Sequence, residues 1–277
     1  MFNGFHKVGT NTMTVRPKNM FAGFPENSSF GQVGGIGGVV SDSLIAWFNP
    51  SVNITLNGNT VSQWQDTTGA FSLSQGTAAN QPTYKPSQTL YNGRPYLNFS
   101  GSPQFMQNNA INLGVGSNPA YTIVLIFAGI NWITAGVALS YANTQGANIN
   151  GGYDLGHMYN STTYSPYYYQ DGTAWGSGSL VGSIYTSGQI NMECLEINRG
   201  ASTIYLSTNS FYHSSSAALT NSITNLNGLP LALGAPVNAG NYYFNANILD
   251  ILFYNKQLSQ TEYLSIYSYF KGLYGLP

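Results

Sequence analysis

Beyond Ser43 the chain consists of short runs of β-branched and aromatic residues, separated by clusters of Gly, Asn, Ser and Pro. Such runs are typical of β-strands, and the clusters between them are typical of turns. Because no helical segments lie between the runs to carry parallel crossovers, we expect antiparallel pairing. The pattern predicts an all-β sandwich with strands at Leu44–Phe48, Tyr96–Phe99, Thr122–Phe127, Gln189–Ile197, Thr203–Leu206, Leu231–Leu233 and Asn247–Tyr254.

One helix is predicted near the end of the chain. Ser259 and Glu262 have the S-x-x-E spacing of a capping box, in which each side chain bonds the backbone N–H of the other residue. Gly272 and Gly275 are candidates to end the helix, because glycine accepts a left-handed backbone. Apolar residues at helical spacing form a stripe that can pack on the sandwich: Tyr263, Leu264, Tyr267 and Phe270.

The composition restricts the partners of this chain. Charged residues make up 6% of it and the formal net charge is -1, whereas an average soluble domain is roughly 25% charged. A surface with so little charge offers no electrostatic footprint for nucleic acid. It also gives little colloidal protection to a free monomer, so we expect part of it to be covered in a homo-oligomer or larger assembly.

Cysteine usage and hydropathy argue against an intrachain disulfide and against a membrane-spanning segment. Cys194 is the only cysteine, and its apolar surroundings predict a buried, inert thiol. No run reaches the roughly 18 apolar residues of a membrane span; residues 121–137 come closest and are interrupted by Asn131. The first residues lack the apolar region of a secretory signal, so release by another route is expected.

Residues 1–40 differ from the rest of the chain, since they show no sustained strand or helix period and end in a glycine-rich run. They predict an extended N-terminal arm with a flexible hinge, preceding a domain at residues 41–277. The basic residues of the arm are either solvated or docked onto an acidic neighbour. We expect other subunits of an assembly to bind the arm through Phe2, Phe5, Lys7, Arg16, Lys18, Met20, Phe21 and Phe24.

The segment Ala246–Leu276 combines a strand ending in Tyr-Asn-Lys, a Leu-Ser helix start and a Lys-x-x-Tyr-Gly finish. It resembles the closing strand and helix of concanavalin A-like, laminin-G-like domains. Three further segments resemble the same family: Leu44–Pro50, Gln63–Gln75 and Arg94–Phe105. The resemblance implies an antiparallel jelly-roll sandwich with a short C-terminal helix, and it suggests carbohydrate binding.

Within the second of these segments, Trp64 is expected to pack inward. Asp66 and Gly69 are expected to shape a turn, through an Asx-type hydrogen bond and a positive φ. Where the family usually has acidic residues, this chain has Ser100 and Pro103. These replacements remove hard-oxygen ligands, so the calcium site of some relatives is not supported here and no cofactor or metal is expected.

Catalytic patterns are absent from the sequence. A jelly-roll glycosidase needs two carboxylates about 5 to 10 Å apart across the bond, but the nine acidic residues are nearly all isolated and the E-x-D-x-x-E pattern is missing. The nearest pair, Glu193 and Glu196, is spaced so that a strand would send the side chains to opposite faces. His6, His157 and His213 lack zinc-ligand spacing. We therefore expect no catalytic residues.

The best candidate for a binding surface is the aromatic segment at residues 151–179. Aromatic faces can stack on sugar rings, while Asp, Asn and Gln can bond the hydroxyl groups. The alternative is that these tyrosines alternate into the core or line a subunit interface. The candidate glycan-binding residues are Tyr164, Tyr167, Tyr168, Tyr169, Trp175, Asp154, Asn160, Gln170 and Asp171.

Three functions remain open at this point. The leading hypothesis is a non-enzymatic structural protein of a bacterial virus, at the capsid surface, fibre or tail, whose lectin-like domain binds glycans and whose location is the virion. The runner-up is a secreted or surface bacterial glycan-binding module. The third is a jelly-roll glycosidase or lyase, which requires carboxylates that converge in a cleft.

Overall fold

The computed structural model describes residues 38–101, 103–111, 120–129, 136–142, 153–159, 166–170, 188–198, 200–201, 203–218, 229–235 and 243–277. The chain divides into two units, Met1–Gln32 and Val33–Pro277. All described residues belong to the second unit. The arm predicted for residues 1–40 therefore lies outside the described residues except for its last three positions, and its role as an assembly element stays a prediction.

The described residues form sixteen strands and one α-helix, with two short 3-10 turns at Ala78–Asn80 and Thr89–Tyr91. The first eight strands are β1 Leu44–Phe48, β2 Ile54–Asn57, β3 Thr60–Gln65, β4 Ser72–Ser74, β5 Thr83–Lys85, β6 Tyr96–Ser100, β7 Met106–Ile111 and β8 Ala120–Gly129. The others are β9 Gly136–Ala142, β10 Tyr153–Tyr159, β11 Pro166–Gln170, β12 Ile190–Asn198, β13 Thr203–Thr208, β14 Phe211–Ala218, β15 Leu229–Leu233 and β16 Asn245–Tyr254. The helix α1 is Gln260–Tyr274.

The strands pair antiparallel in one continuous order, β11-β10-β9-β15-β7-β4-β3-β5-β6-β16-β8-β12-β13-β14. β1 pairs with β16, and β2 pairs with β3. All seven strands predicted from the sequence are present, and the antiparallel pairing is confirmed. The additional strands include β4 (SLS) and β7 (MQNNAI), whose polar composition is that of a turn or loop.

One apolar cluster lies between two halves of this sheet. Strands far apart in the pairing order contribute to it: Val61, Met106 and Leu231 come from one half, and Leu125 and Ile251 come from the other. The sheet therefore folds over on itself, and the two halves face each other across a common core. This arrangement is the all-β sandwich that the strand pattern and the concanavalin A-like resemblance predicted.

A second apolar cluster covers the outer face of β8, β12 and β16. In β8, Ile123 and Leu125 point into the sandwich, whereas Val124 and Ile126 point to the other face. The second cluster also contains six residues of α1. The helix thus forms a third layer over strands that are apolar on both sides, and the buried residues of α1 are Tyr263, Ile266, Tyr267, Phe270, Leu273 and Tyr274.

The helix start is confirmed in detail, but two helix predictions are wrong. Ser259 and Glu262 form both bonds of the capping box, with the Ser259 backbone N–H donating to Glu262 Oε2 at 2.9 Å. Leu264 is 39% exposed, so it does not belong to the buried stripe. Gly272 lies inside the helix, and Gly275 alone ends it with φ +77°, because a left-handed residue directs the chain away from the helix axis.

The predicted turn after β3 is also confirmed. Trp64 is fully buried, and the backbone N–H and hydroxyl of Thr68 donate to Asp66 Oδ2 at 3.1 and 2.7 Å. The backbone N–H of Phe71 donates to the other carboxylate oxygen at 2.9 Å. Gly69 adopts φ +79°, a conformation that costs glycine little.

The last residues assigned to the arm pack with the domain. Val39 and Val40 are each 1% exposed and belong to the helix-side cluster. A Cβ at Gly38 would lie 3.0 Å from the Tyr269 ring, and the Ser265 hydroxyl donates to the Gly38 carbonyl at 3.4 Å. The domain therefore includes residues from Gly38 onward.

This packing predicts the result of a pair of truncations. A chain that starts at Gly38 should keep the melting temperature of the full chain, because it retains both valines. A chain that starts at Ser41 loses two buried valine side chains, each of which contributes roughly 1.5 kcal/mol or more. Its melting temperature, measured by calorimetry, should fall by roughly 5 to 10 °C for a domain of this size. A lower melting temperature for the Gly38 chain as well would show that residues 1–37 stabilise the domain.

Candidate functional site

A cleft of about 260 Å³ lies beside β4 and β7. The residues that line it come from both strands, from the segment just after β4 and from the position just before β7. They are Ser72, Ser74, Gln75, Gly76, Phe105, Gln107 and Asn108. Each of these lining residues is uncharged, and all but glycine and Phe105 carry a hydroxyl or an amide. The cleft therefore presents neutral hydrogen-bonding groups beside one aromatic ring.

Strand alternation places Ser72, Ser74 and Gln107 of the cleft on the outer face of the sheet. In β4, Leu73 belongs to the inner core, so Ser72 and Ser74 on either side of it point outward. In β7, Met106 belongs to the inner core, and Gln107 pairs in register with Ser74. The short polar runs thus expose their polar side chains on one face and bury single apolar residues on the other.

Hydrogen bonds fix the walls of the cleft. Gln75 Nε2 donates to the Phe105 carbonyl at 3.2 Å, and Gln75 Oε1 accepts from the Thr77 backbone N–H at 3.0 Å. Gln81 Nε2 donates to the Gln75 carbonyl at 2.7 Å, and Asn108 Nδ2 donates to the Ser72 carbonyl at 2.6 Å. These contacts hold the backbone around Phe105 and Ser72 in place, as a preformed site requires.

Two side chains of the cleft remain available for a ligand. Among the described residues, neither the Ser72 hydroxyl nor the Gln107 amide has a hydrogen-bond partner. Both are partly exposed, as is Phe105. A ligand with hydroxyl groups could therefore bond Ser72 and Gln107 while an apolar face of it contacts the Phe105 ring.

The aromatic segment predicted as a glycan site falls partly within the described residues. Asp154 lies on β10, and Tyr167, Tyr168, Tyr169 and Gln170 lie on β11, where their backbones are described. In register, Tyr168 pairs with His157. Tyr164, Asn160, Asp171 and Trp175 lie outside the described residues. The backbone thus places part of the predicted site on two paired strands, and its function as a glycan site stays a prediction.

The cleft and the aromatic strands belong to the same stretch of the sheet. From β7 the order runs through β15 and β9 to β10 and then β11. With strands about 4.8 Å apart, β11 lies roughly four strand spacings from β7. The sequence signal for the cleft itself was weak, because Ser, Gln and Asn are typical of loops as well as of exposed strand faces.

Glu193 and Glu196, the nearest pair of carboxylates in the sequence, lie on opposite faces of β12. Leu195 belongs to the inner core and Cys194 to the helix-side cluster. Alternation along the uninterrupted strand β12 therefore puts Glu193 on the inner face and Glu196 on the helix side. The opposite orientation of the two side chains, predicted from their spacing, is confirmed. No carboxylate occurs among the described residues that line the cleft.

Glu196 is the centre of a buried polar cluster. Its side chain is 0% exposed, His213 Nε2 lies 3.3 Å from Glu196 Oε2, and the Cys194 thiol donates to Glu196 Oε1 at 3.8 Å. Burial raises the pKa of Glu196 to about 8 and raises the pKa of Cys194 well above its usual value. A thiol that stays protonated is a poor nucleophile, so the prediction of a buried, unreactive Cys194 agrees with this environment.

His213 is held in an unusual position. Its ring stacks between Tyr205 and Tyr212, with centroid distances of 4.0 and 3.7 Å. Its backbone has φ +49°, and its N–H donates to the Ser207 hydroxyl at 2.8 Å. Burial lowers the pKa of His213. The aromatic stack and the bond to Glu196 offset the backbone strain, so this cluster fixes the β13–β14 hairpin to β12.

Asp250 is the second buried acid with a raised pKa. Trp47 Nε1 and Asn49 Nδ2 donate to Asp250 Oδ1 at 2.6 and 3.0 Å, and the Tyr274 hydroxyl donates to Asp250 Oδ2. Complete burial raises the pKa of Asp250 to about 7, although these three donors favour the charged form. The group joins β1, β16 and the end of α1.

The described residues contain neither a cluster of metal ligands nor a helix that could span a membrane. In the described part of the chain, no group of three or more His, Cys, Asp or Glu side chains could hold a metal ion. Ser100 and Pro103 lie at the end of β6 and just beyond it, and the expectation that they do not support a calcium site stays a prediction. Among the described helices, none has the length and hydropathy needed to cross a membrane.

Comparisons with known proteins identify the fold but no family. No protein-family model matches the chain, and no curated protein is similar to it in sequence. The Trypanosoma rangeli sialidase in complex with sialic acid matches with a TM-score of 0.56 at 12% identity, over 81% of this chain and 32% of the sialidase. The binding domain of Botulinum neurotoxin DC in complex with SialylT matches with a TM-score of 0.54 at 10% identity, over 83% of this chain and 52% of that domain. This chain therefore spans about a third of the sialidase and about half of the toxin domain, and at such identities the likeness is one of fold.

The two buried acids predict how stability depends on pH. The folded pKa values of about 7 for Asp250 and about 8 for Glu196 exceed the ordinary values of 3.8 and 4.5. Both groups therefore bind their proton more tightly in the folded chain. The stabilisation from each group is fully present below its ordinary pKa, which is 3.8 for Asp250 and 4.5 for Glu196. It is lost as the pH rises to about 7 for Asp250 and to about 8 for Glu196. The free energy of unfolding in urea should fall between about pH 5 and pH 9.

The variant Glu196→Gln should flatten the upper part of this profile, since glutamine stays neutral. Asp42→Asn is the matched control, because the Asp42 side chain is 74% exposed and pairs with Lys256 at the surface. The lowered pKa of His213 acts with the opposite sign below its ordinary value of 6.5, so the two profiles are compared above about pH 7. An identical pH profile for Glu196→Gln and the wild type would show that Glu196 does not cause the loss of stability in this range.

Proposed function

We propose that this chain is a non-catalytic glycan-binding domain, and that the cleft beside β4 and β7 is its binding site. The observation that carries the proposal is the lining of the cleft. Neutral hydroxyl and amide groups surround one aromatic ring on the outer face of a β-sandwich. This combination matches a sugar, which has hydroxyl groups around its edge and an apolar face of C–H groups.

The polar surface continues beyond the cleft, as an extended glycan requires. Gln63 pairs in register with Ser74, and Gln65 pairs with Ser72, so these glutamines lie beside the serines of the cleft. Both glutamines are partly exposed. A glycan longer than one unit could therefore contact β3, β4 and β7 together, with amide groups available along its length.

The solved structures of similar fold support a carbohydrate ligand. The sialidase is described in complex with sialic acid, and the toxin binding domain in complex with SialylT. Both contain a fold like this one, over about a third of the sialidase and about half of the toxin domain. The absence of a carboxylate among the described lining residues favours binding over hydrolysis at this cleft, because glycosidases ordinarily place two carboxylates across the bond.

The biological setting is part of the proposal. We propose that the domain acts within a bacteriophage particle, where residues 1–37 bind neighbouring subunits and the sandwich binds glycans of the host surface. The low charge of the chain and the basic, aromatic composition of its first residues support this role. The aromatic strands β10 and β11 would then extend the binding face from the cleft along the sheet.

Substitution in the cleft tests the binding site. Phe105→Ala and Gln107→Ala should each weaken glycan affinity by roughly 1 to 3 kcal/mol, the usual range for a central contact residue. Affinity should be measured by calorimetry with a glycan first identified on an array, and the melting temperature should stay within a few degrees of the wild type. Phe211→Ala is the matched control, because Phe211 is 64% exposed and lies on β14 at the far end of the strand order.

The aromatic segment provides the competing location. If Tyr168→Ala or Trp175→Ala abolishes binding while both cleft variants bind normally, the glycan site lies in that segment and not in the cleft. If the wild type binds nothing on the array, glycan binding is wrong and a purely structural role is favoured.

The assembly role is tested by comparing the full chain with the chain that starts at Gly38. The full chain should form oligomers in native mass spectrometry, because the apolar residues of the arm need a partner to cover them. The shorter chain should be monomeric and should bind glycan with unchanged affinity per site. Oligomers of equal size for both chains would show that residues 1–37 are not the assembly element.

A further inference from the structure

We infer that the cleft beside β4 and β7 selects neutral glycans and rejects sialylated and other anionic ones. This inference rests on the proposed function and specifies its substrate class. It differs from what the sialic acid bound by the matching sialidase would suggest. The difference arises from the side chains of the cleft, which the shared fold does not determine.

The first argument is the lack of a positive partner. All described residues that line the cleft are uncharged. A carboxylate that leaves water for such a site loses its hydration and gains only neutral hydrogen bonds. Sites that select carboxylates generally use an arginine, whose planar fork bonds both oxygens. The hydroxyl and amide groups of Ser72 and Gln107 instead both donate and accept, as the hydroxyl groups of a neutral sugar also do.

The second argument is where the described cations lie. Lys85 pairs in register with Tyr96, which packs in the helix-side cluster, so it lies on the helix side of the sandwich and does not line the cleft. Arg94 is close enough to the buried Asp250 to lower the pKa of that carboxyl.

The two remaining described cations lie at the helix. Lys256 Nζ lies 2.5 Å from Asp42 Oδ2 and 2.6 Å from Glu262 Oε1. Lys271 lies over the Tyr267 ring at 5.5 Å from its centroid. In the part of the chain that the structure describes, each Lys or Arg is thus placed away from the cleft, and an anionic glycan finds no counter-charge there.

The third argument is the size and shape of the cleft. Its volume of about 260 Å³ is just below the roughly 300 Å³ at which pockets for drug-sized ligands begin. The cleft has room for one sugar unit, and a carboxylate on that unit that faces the cleft would meet only uncharged walls. Neighbouring units would then lie over the glutamines of β3. The cleft should therefore discriminate between glycans by the charge of the one sugar unit that enters it.

The experiment uses the full chain on an array of paired glycans. Each pair shares one core and differs only in its terminal unit, which is a neutral hexose in one member and sialic acid or a uronic acid in the other. The neutral member should bind at least roughly tenfold more tightly, since one desolvated charge commonly exceeds the 1.4 kcal/mol that a tenfold ratio represents. Binding of the neutral member should be unchanged between about 50 and 500 mM salt, because no ion pair contributes.

A charge-adding variant tests the cause of the selectivity. Gln107→Arg puts a guanidinium in the cleft and should shift the ratio within each pair toward the anionic member by at least roughly tenfold. Ser74→Arg, at an exposed position of the same cleft, should act in the same direction and serves if the first variant does not fold. Leu90→Arg is the matched control, because it adds the same charge at a residue that is 69% exposed and outside the cleft.

The outcomes separate this inference from the proposed function. Equal or tighter binding of the anionic members by the wild type would overturn the inference and leave glycan binding intact. The inference would also be wrong if Leu90→Arg shifted the ratio as much as Gln107→Arg, since overall charge and not the cleft would then decide. Binding to no member of any pair would overturn both.

Discussion

The burial of β8 and β16 on both faces is the constraint on which the rest of this structure depends. Alternate residues of β8 belong to the inner core and to the helix-side cluster, so neither face of the strand can meet water. A sandwich of two sheet halves covers only one of these faces. The helix α1 must therefore cover the other, and its buried residues are large and apolar for that reason. The N-terminal edge of the domain follows from the same requirement, because Val39 and Val40 complete the layer that the helix begins.

Polar groups inside this layer specify how its parts fit together. A register shift between Ile248 and Asp250 places Leu249 in the helix-side cluster and directs Asp250 toward Trp47 and Tyr274. One carboxyl group thereby joins the first strand, the last strand and the end of the helix. Such a buried acid contributes little to stability when it is charged, but an alternative packing would leave its donors unpaired. Burial raises the pKa of Asp250 to about 7, so the carboxyl is neutral at mildly acidic pH.

The sequence predicted the covered half of the sandwich far better than the exposed half. Strands such as β8 and β16 are long, apolar runs, and the capping box and the Asp66 turn have local signatures that need no tertiary information. The helix stripe was misjudged at Leu264 because helical spacing alone does not show how wide the buried face is, and the sandwich buries Ile266 instead. The strands that form the cleft were missed for a different reason. A run such as SLS or MQNNAI contains one to three apolar residues, and only pairing with neighbouring strands makes it a strand.

The contrast between buried and exposed strand faces also explains why the ligand specificity of the cleft is not determined by the fold. Leu73 and Met106 anchor β4 and β7 in the inner core, while the residues beside them project away from it. Because their side chains contribute little to the core, Ser72, Ser74 and Gln107 can change without altering the packing that holds the strands in place. Glu196 and Asp250 have no such freedom, since each is fully buried among fixed partners. Packing therefore fixes the charged residues on the helix side, whereas residues on the cleft side can gain or lose charge without disturbing the core. The ligand chemistry of this sandwich thus depends on the exposed polar residues of β4 and β7.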